Sequence, residues 1–86
     1  NNYVRWALYQ YGLILNRKGE YNEALVQFNK ALEIPPVNKS DVKDAEILLV
    51  RGLAKKEAGK NGYIKDIKDA AKLGDKKAKT LLEEIA

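Results

Sequence analysis

Gly12-Leu13-Ile14-Leu15-Asn16-Arg17-Lys18-Gly19-Glu20-Tyr21-Asn22-Glu23-Ala24-Leu25-Val26-Gln27-Phe28-Asn29-Lys30-Ala31-Leu32-Glu33-Ile34-Pro35-Pro36 is the stretch on which the fold turns. At its centre, Lys18-Gly19-Glu20 separates two runs of helical periodicity. After the break, Ala24, Leu25, Phe28, Ala31 and Leu32 share one face of a helix predicted from about Tyr21 to Ile34. Pro35-Pro36 stops it, because proline has no N–H to donate and disfavours helical geometry in the residue before it. Before the break, Leu8, Tyr11, Gly12 and Leu15 form an i, i+3, i+4, i+7 stripe that predicts a helix over residues 3–18 facing its partner. Gly19 ends that helix, since glycine takes positive φ at no steric cost.

The plan recurs downstream. Asn38 to Asp44 is rich in N-cap residue types, which predicts a third helix from Ser40 or Asp41 to about Ala58. Gly59-Lys60-Asn61-Gly62 then leads into a fourth helix, Tyr63 to Leu73. Gly74-Asp75 supplies a stop and an N-cap for a fifth, Lys76 to Ala86, with Ala78, Leu81, Leu82 and Ile85 on one face. No run alternates polar with apolar residues, so strands are not expected.

An internal repeat ties the two halves together. Val26–Ile34 aligns with Lys65–Leu73 at an offset of 39, whereas Gly12 and Gly19 align with Gly52 and Gly59 at an offset of 40. The second interhelical turn is therefore expected to be one residue shorter.

Residues 5–38 resemble one tetratricopeptide repeat. The resemblance rests on the large Leu8 and Tyr11, the small Gly12, Gly19-Glu20-Tyr21, then Ala24, Phe28, Ala31 and Pro36. Leu15 stands where that family usually has Tyr. Small residues at Gly12, Ala24 and Ala31 let two antiparallel helices approach, and Tyr21 and Phe28 fill the space between repeats. A second, more degenerate repeat covers about 45–77. Ala45, Leu48, Gly52, Gly59, Ile67 and Ala70 fit, but Arg51 and Lys55 replace Tyr11 and Leu15, and Tyr63 replaces Ala24. The linker between the repeats is about six residues longer than the family's. Ala71-Lys72-Leu73-Gly74-Asp75-Lys76-Lys77-Ala78 is also similar to a related helical-repeat family with a Leu-Gly-x-x-x-Ala pattern. The resemblance implies one all-α domain over 1–86, an antiparallel helix-turn-helix solenoid of two repeats and a capping helix at about 75–86, five helices in all.

The same resemblance implies a protein–protein interaction scaffold. Its first helices would line a concave groove for a peptide or partner helix, with Trp6, Tyr9, Gln10, Leu13, Asn16 and Arg17 from the first repeat. Glu46, Leu49, Val50, Leu53, Lys56 and Glu57 would come from the second. A helical wheel places Trp6, Tyr9 and Leu13 together on a face apart from the paired-helix stripe. The contact set expected is Trp6, Tyr9, Leu13, Asn16, Leu49, Leu53 and Lys56. Trp and Tyr are common interface anchors. The alternative is a structural role, in which the same patch packs on neighbouring repeats or a second copy, because large apolar patches rarely stay bare. The family's carboxylate clamp is not expected, because Tyr9, Leu13 and Val50 occupy its positions.

Composition excludes much else. The chain has 86 residues, neither Cys nor His, and a net charge of +4. Disulfides, thiolate metal sites and Ser-His or Cys-His relays are ruled out. No pair of carboxylates sits in an apolar setting suited to acid–base catalysis, and no phosphate-loop spacing occurs. No catalytic residue, metal or cofactor is therefore expected. Residues 55–79 hold nine Lys against Glu57, Asp66, Asp69 and Asp75, which reads as a solvated face with pairs such as Asp69 with Lys72. Only Tyr63 is available there for stacking and no Arg for base contacts, which argues against nucleic acid. With no signal peptide or transmembrane run in the sequence, a cytoplasmic location is expected.

Overall fold

The computed structural model describes residues 3–85. Five helices follow in order: α1 (Val4–Arg17), α2 (Tyr21–Glu33), α3 (Asp44–Glu57), α4 (Tyr63–Lys72) and α5 (Lys76–Ile85). No strand occurs among the described residues. α1 packs on α2 and α3 on α4, while α2 also meets α3 and α4 meets α5. The result is an all-α stack of adjacent helix pairs, 40 × 27 × 17 Å.

Each first helix ends through backbone geometry. At Gly19, φ is 82°, and this lets Glu20 N–H donate to Leu15 O at 2.9 Å and Gly19 N–H to Asn16 O at 3.1 Å. Gly59 closes α3 with the same two bonds, to Lys55 O and Lys56 O. Orphan carbonyls of the last turn are thereby satisfied. The α5 start is capped as expected, with Ala78 N–H donating to Asp75 Oδ1 at 2.9 Å.

The close approach of the pairs depends on Gly12 and Gly52. A Cβ on Gly12 would lie 2.4 Å from the Phe28 ring, and one on Gly52 would lie 3.2 Å from Ile67 and 3.0 Å from Tyr63 O. Phe28 and Ile67 are the offset-39 equivalents, so the repeat register holds in three dimensions. α4 starts at Tyr63 as expected, but the connection before it, residues 58–62, is longer than residues 18–20 between α1 and α2. Tyr63 is the equivalent of Ala24, so the first turn of α2 has no counterpart and the expected shortening is not seen in the turn itself.

Two clusters form the core. Leu15, Ala24, Leu25, Phe28, Ala31, Val42, Ile47 and Ala54 join α1, α2, the linker and α3. Leu49, Ile67, Ala70 and Ala78 join α3, α4 and α5.

Three local expectations are corrected. α3 begins at Asp44, not at Ser40 or Asp41, and its N-cap Lys43 makes no side-chain capping bond. The polar side chains instead fold the linker on itself: Asn38 Oδ1 accepts from Ser40 N–H, and the Asp41 carboxylate accepts from Val37 and Val42 N–H. Tyr11 was expected against α2 but is 49% exposed, because the buried sector of α1 runs through Leu15, Gly12 and Arg5. That sector is rotated past Tyr11 toward Arg5. Ile85, expected on the packed face of α5, is exposed.

Arg5 is 1% exposed. Its Nε donates to Val42 O at 2.9 Å, Nη1 to Ala31 O at 3.1 Å and Ile34 O at 2.6 Å, and Nη2 to Asp44. One guanidinium thus pins the end of α2, the long linker and the start of α3 to α1. Such a planar fork of donors suits several fixed acceptors at once. The apparent irregularities Arg51 and Lys55 have a similar explanation. Arg51 grips buried Asp66 with two bonds, 2.9 and 2.8 Å, and Lys55 Nζ adds a third at 3.0 Å. Arg51 also donates to Asn29 Oδ1 at 3.0 Å, tying in α2.

Candidate functional site on the face shared by α1, α3 and α5

Residues on the first helix of each pair and on α5 converge on one side of the stack. Tyr9 from α1, Glu46, Leu49 and Val50 from α3, and Asp75, Lys76 and Lys77 at the start of α5 line a cleft of about 480 Å³. Leu49, Lys76 and Lys77 are shared with an adjoining depression of about 430 Å³, completed by Leu53, Thr80 and Leu81. The two make one continuous groove across α3, walled by α5.

Its electrostatics change along its length. At the Tyr9 end, Glu46 and Asp75 face Lys76 and Lys77. Burial, followed by the Glu46 and Asp75 carboxylates, pushes the Tyr9 phenol above its usual pKa. The phenol is therefore a neutral hydrogen-bonding group at physiological pH. At the Leu53 end the same two lysines lie beside Leu49, Leu53 and Leu81, with no carboxylate in the lining among the described residues. Lys76 and Lys77 make no ion pair among the described residues. They also occupy the first turn of α5, the end of a helix where cations are disfavoured by its dipole.

The expected contact residues divide. Tyr9, Leu49 and Leu53 meet in this groove. Leu49 is corrected in role: at 6% exposed it belongs to the core with Ile67, Ala70 and Ala78, so it supplies floor, not a projecting contact. Leu13 is half-buried against the first core cluster. Asn16 is half-buried, with its Oδ1 shut from solvent and without a hydrogen-bond partner among the described residues. Lys56 is exposed. Trp6, 50% exposed, is not brought to the groove lining; it borders a separate depression with Tyr3, Val37, Asn38, Ser40 and Asp41. The wheel groups Trp6 with Tyr9, but the structure sets them in different depressions, Trp6 beside the folded linker and Tyr9 beside α3 and α5.

The residues missed by sequence reasoning are Lys76, Lys77, Thr80 and Leu81. Reading α5 as a cap alone hid them, although Lys76-Lys77 one turn before Leu81 is the available signal. A larger depression of about 640 Å³ lies between the linker and Leu73. Its carboxylates Asp41 and Asp44 are already engaged by the linker amides and Arg5, so it is a by-product of the clasp.

The lysine-rich stretch is only partly a solvated face. Lys65 pairs with Asp69 at 2.9 Å, in place of the expected Asp69–Lys72 pair, while Lys55 is drawn inward to Asp66. No helix among the described residues is long and apolar enough to cross a membrane. Set against family models, curated proteins and solved structures, the chain matches none.

Proposed function

We propose that the chain is a tetratricopeptide-type interaction module whose α1–α3–α5 groove holds a peptide or helix of another protein. The observation that carries this reading is the pairing of an apolar floor with two exposed lysines that make no ion pair among the described residues. Two cations beside Leu53 and Leu81 suit a segment that carries an apolar side chain flanked by carboxylates. The apolar side chain supplies burial, and the lysines set orientation and encounter rate.

This narrows the contact set to Tyr9, Val50, Leu53, Lys76, Lys77 and Leu81, over a floor of Leu49. It favours the interaction reading over a purely structural one, because both lysines are exposed and make no ion pair among the described residues. The test is selection of binders from a random peptide library on the wild-type chain and on a Lys76→Glu/Lys77→Glu variant. The wild type should enrich sequences that pair Leu, Ile or Phe with Asp or Glu, and the variant should lose them. Equal enrichment on both proteins would show that the groove is not the binding surface.

A further inference from the structure

We infer, on the reading of the cleft as a binding groove, that Arg5 is its positioning residue: the guanidinium sets how closely the Tyr9 wall on α1 stands to the Glu46–Val50 wall on α3. Arg5 and Tyr9 are one turn apart on α1 and lie within about 40° of one another, so both leave the helix on the same side. That side meets α3. Arg5 bonds to Val42 O and to the Asp44 carboxylate, and Tyr9 shares the cleft with Glu46 and Val50.

Direct packing leaves this spacing underdetermined. α1 and α3 both pack on α2 but touch each other only lightly. Among the described residues, Arg5 makes the only side-chain hydrogen bonds from α1 to α3 or to the linker that leads into it. Its bonds divide between two anchors. Nη1 holds the end of α2, at Ala31 O and Ile34 O, while Nε and Nη2 hold Val42 O and Asp44. A planar fork cannot follow one anchor without leaving the other. At this end, α3 therefore cannot move off α1 by as much as about 1 Å without leaving a buried donor unmet.

The clasp is an addition to the repeat, because at the offset of 40 the equivalent of Arg5 is Ala45. Anchoring the long linker needs only Val42. Asp44 lies on α3 itself, two residues before Glu46, and so ties the fork to the wall that faces Tyr9. The Leu53 end lies beyond this control. Leu53 is about 10 Å further along α3 than Glu46, and no α1 residue lines that end among the described residues.

Tyr9 reports the spacing without any partner. Its phenol is held above the usual pKa by burial and then by Glu46 and Asp75, all of which depend on α1 standing close to α3 and α5. Arg5→Lys keeps the cation but replaces the fork by a point donor that cannot span both anchors. Asp44→Ala removes only the tie on α3. Tyrosine ring resonances are followed through the titration, with Tyr9→Phe to assign them and circular dichroism to confirm helix content. The Tyr9 value should fall toward the ordinary one in both variants. Both should also weaken a peptide selected on the wild type, about tenfold for Arg5→Lys and about threefold for Asp44→Ala. With Tyr9→Ala already in place, neither should weaken it further, a result that lost stability alone would not produce. Asp44→Glu, which keeps the acceptor, should stay within about twofold of wild type. If Arg5→Lys does not fold, Asp44→Ala decides. A Tyr9 titration unmoved in helical variants overturns the inference whether or not the chain binds peptide. A Tyr9 value that falls on a chain for which no peptide can be selected leaves the spacing in place and overturns the groove's binding role instead.

Discussion

Arg5 and Asp44 meet at 2.5 Å across the boundary between the two helix pairs, with the arginine side chain 1% exposed and the carboxylate 55% exposed. The pair is lopsided. Most of what holds the guanidinium is the backbone, through the carbonyls of Ala31, Ile34 and Val42. Asp44 completes the shell from the solvent side.

Arg5→Met should therefore cost about 3 kcal/mol, because it leaves buried carbonyls without donors and removes the linker's anchor. Asp44→Asn should cost under about 1 kcal/mol, since an exposed partner contributes little. Urea unfolding followed by circular dichroism measures both. Equal losses would mean that the ion pair, and not the backbone clasp, carries the stability.

Gly12→Ala should destabilise by about 1–3 kcal/mol despite alanine's better helix propensity, since its methyl would meet a fully buried Phe28 ring. Phe28→Leu in the same chain should recover part of that loss. A cycle with no coupling between the two positions would contradict the close approach described.

Burial alone would raise the Asp66 pKa, but the hydrogen bonds and charges of Arg51 and Lys55 outweigh it and hold the carboxyl below its usual range. A carboxylate held low in the fold adds stability above its unfolded pKa and loses it as pH falls through the folded value. Asp66→Asn should thus be less stable than wild type by on the order of 3 kcal/mol at pH 7. That gap should persist down to about pH 5 and close below about pH 4. Thermal melts across this range read it directly, and a gap unchanged down to pH 2 would contradict the ion cluster.

Leu49→Asp should unfold the α3–α4–α5 end, because it places a charge in a core cluster. Leu53→Ala, at a half-buried wall position, should keep the helical spectrum and weaken peptide capture. Circular dichroism beside a binding assay separates the two. A folded Leu49→Asp chain would place Leu49 on the surface.

Periodicity and punctuation were enough to locate the helices. The α1 and α2 starts and the Gly19 and Gly59 stops could be read because an apolar stripe and a left-handed glycine are local signals. The clasp could not, because Arg5 looks like any charged residue until three carbonyls distant in sequence gather around it. For the same reason Ser40 or Asp41 looked like the start of α3; residues of this type can cap a helix or fold a loop, and tertiary anchoring decided. Arg51 and Lys55 looked like decay of the repeat, yet they answer Asp66, a partner one helix away. On the groove, the floor was legible on α3 and Tyr9 on α1, whereas the α5 wall depended on how the last helix docks.

The proposed capture of a peptide by α1, α3 and α5 together is tested most directly by amide chemical-shift mapping with a library-selected peptide carrying carboxylates beside an apolar residue. Shifts are expected to concentrate at Tyr9, Val50, Leu53, Lys76, Lys77 and Leu81, and to be abolished by Lys76→Glu/Lys77→Glu. Shifts confined to the Trp6–Val37 depression or to the outer face of α1, with these six amides unmoved, would contradict it.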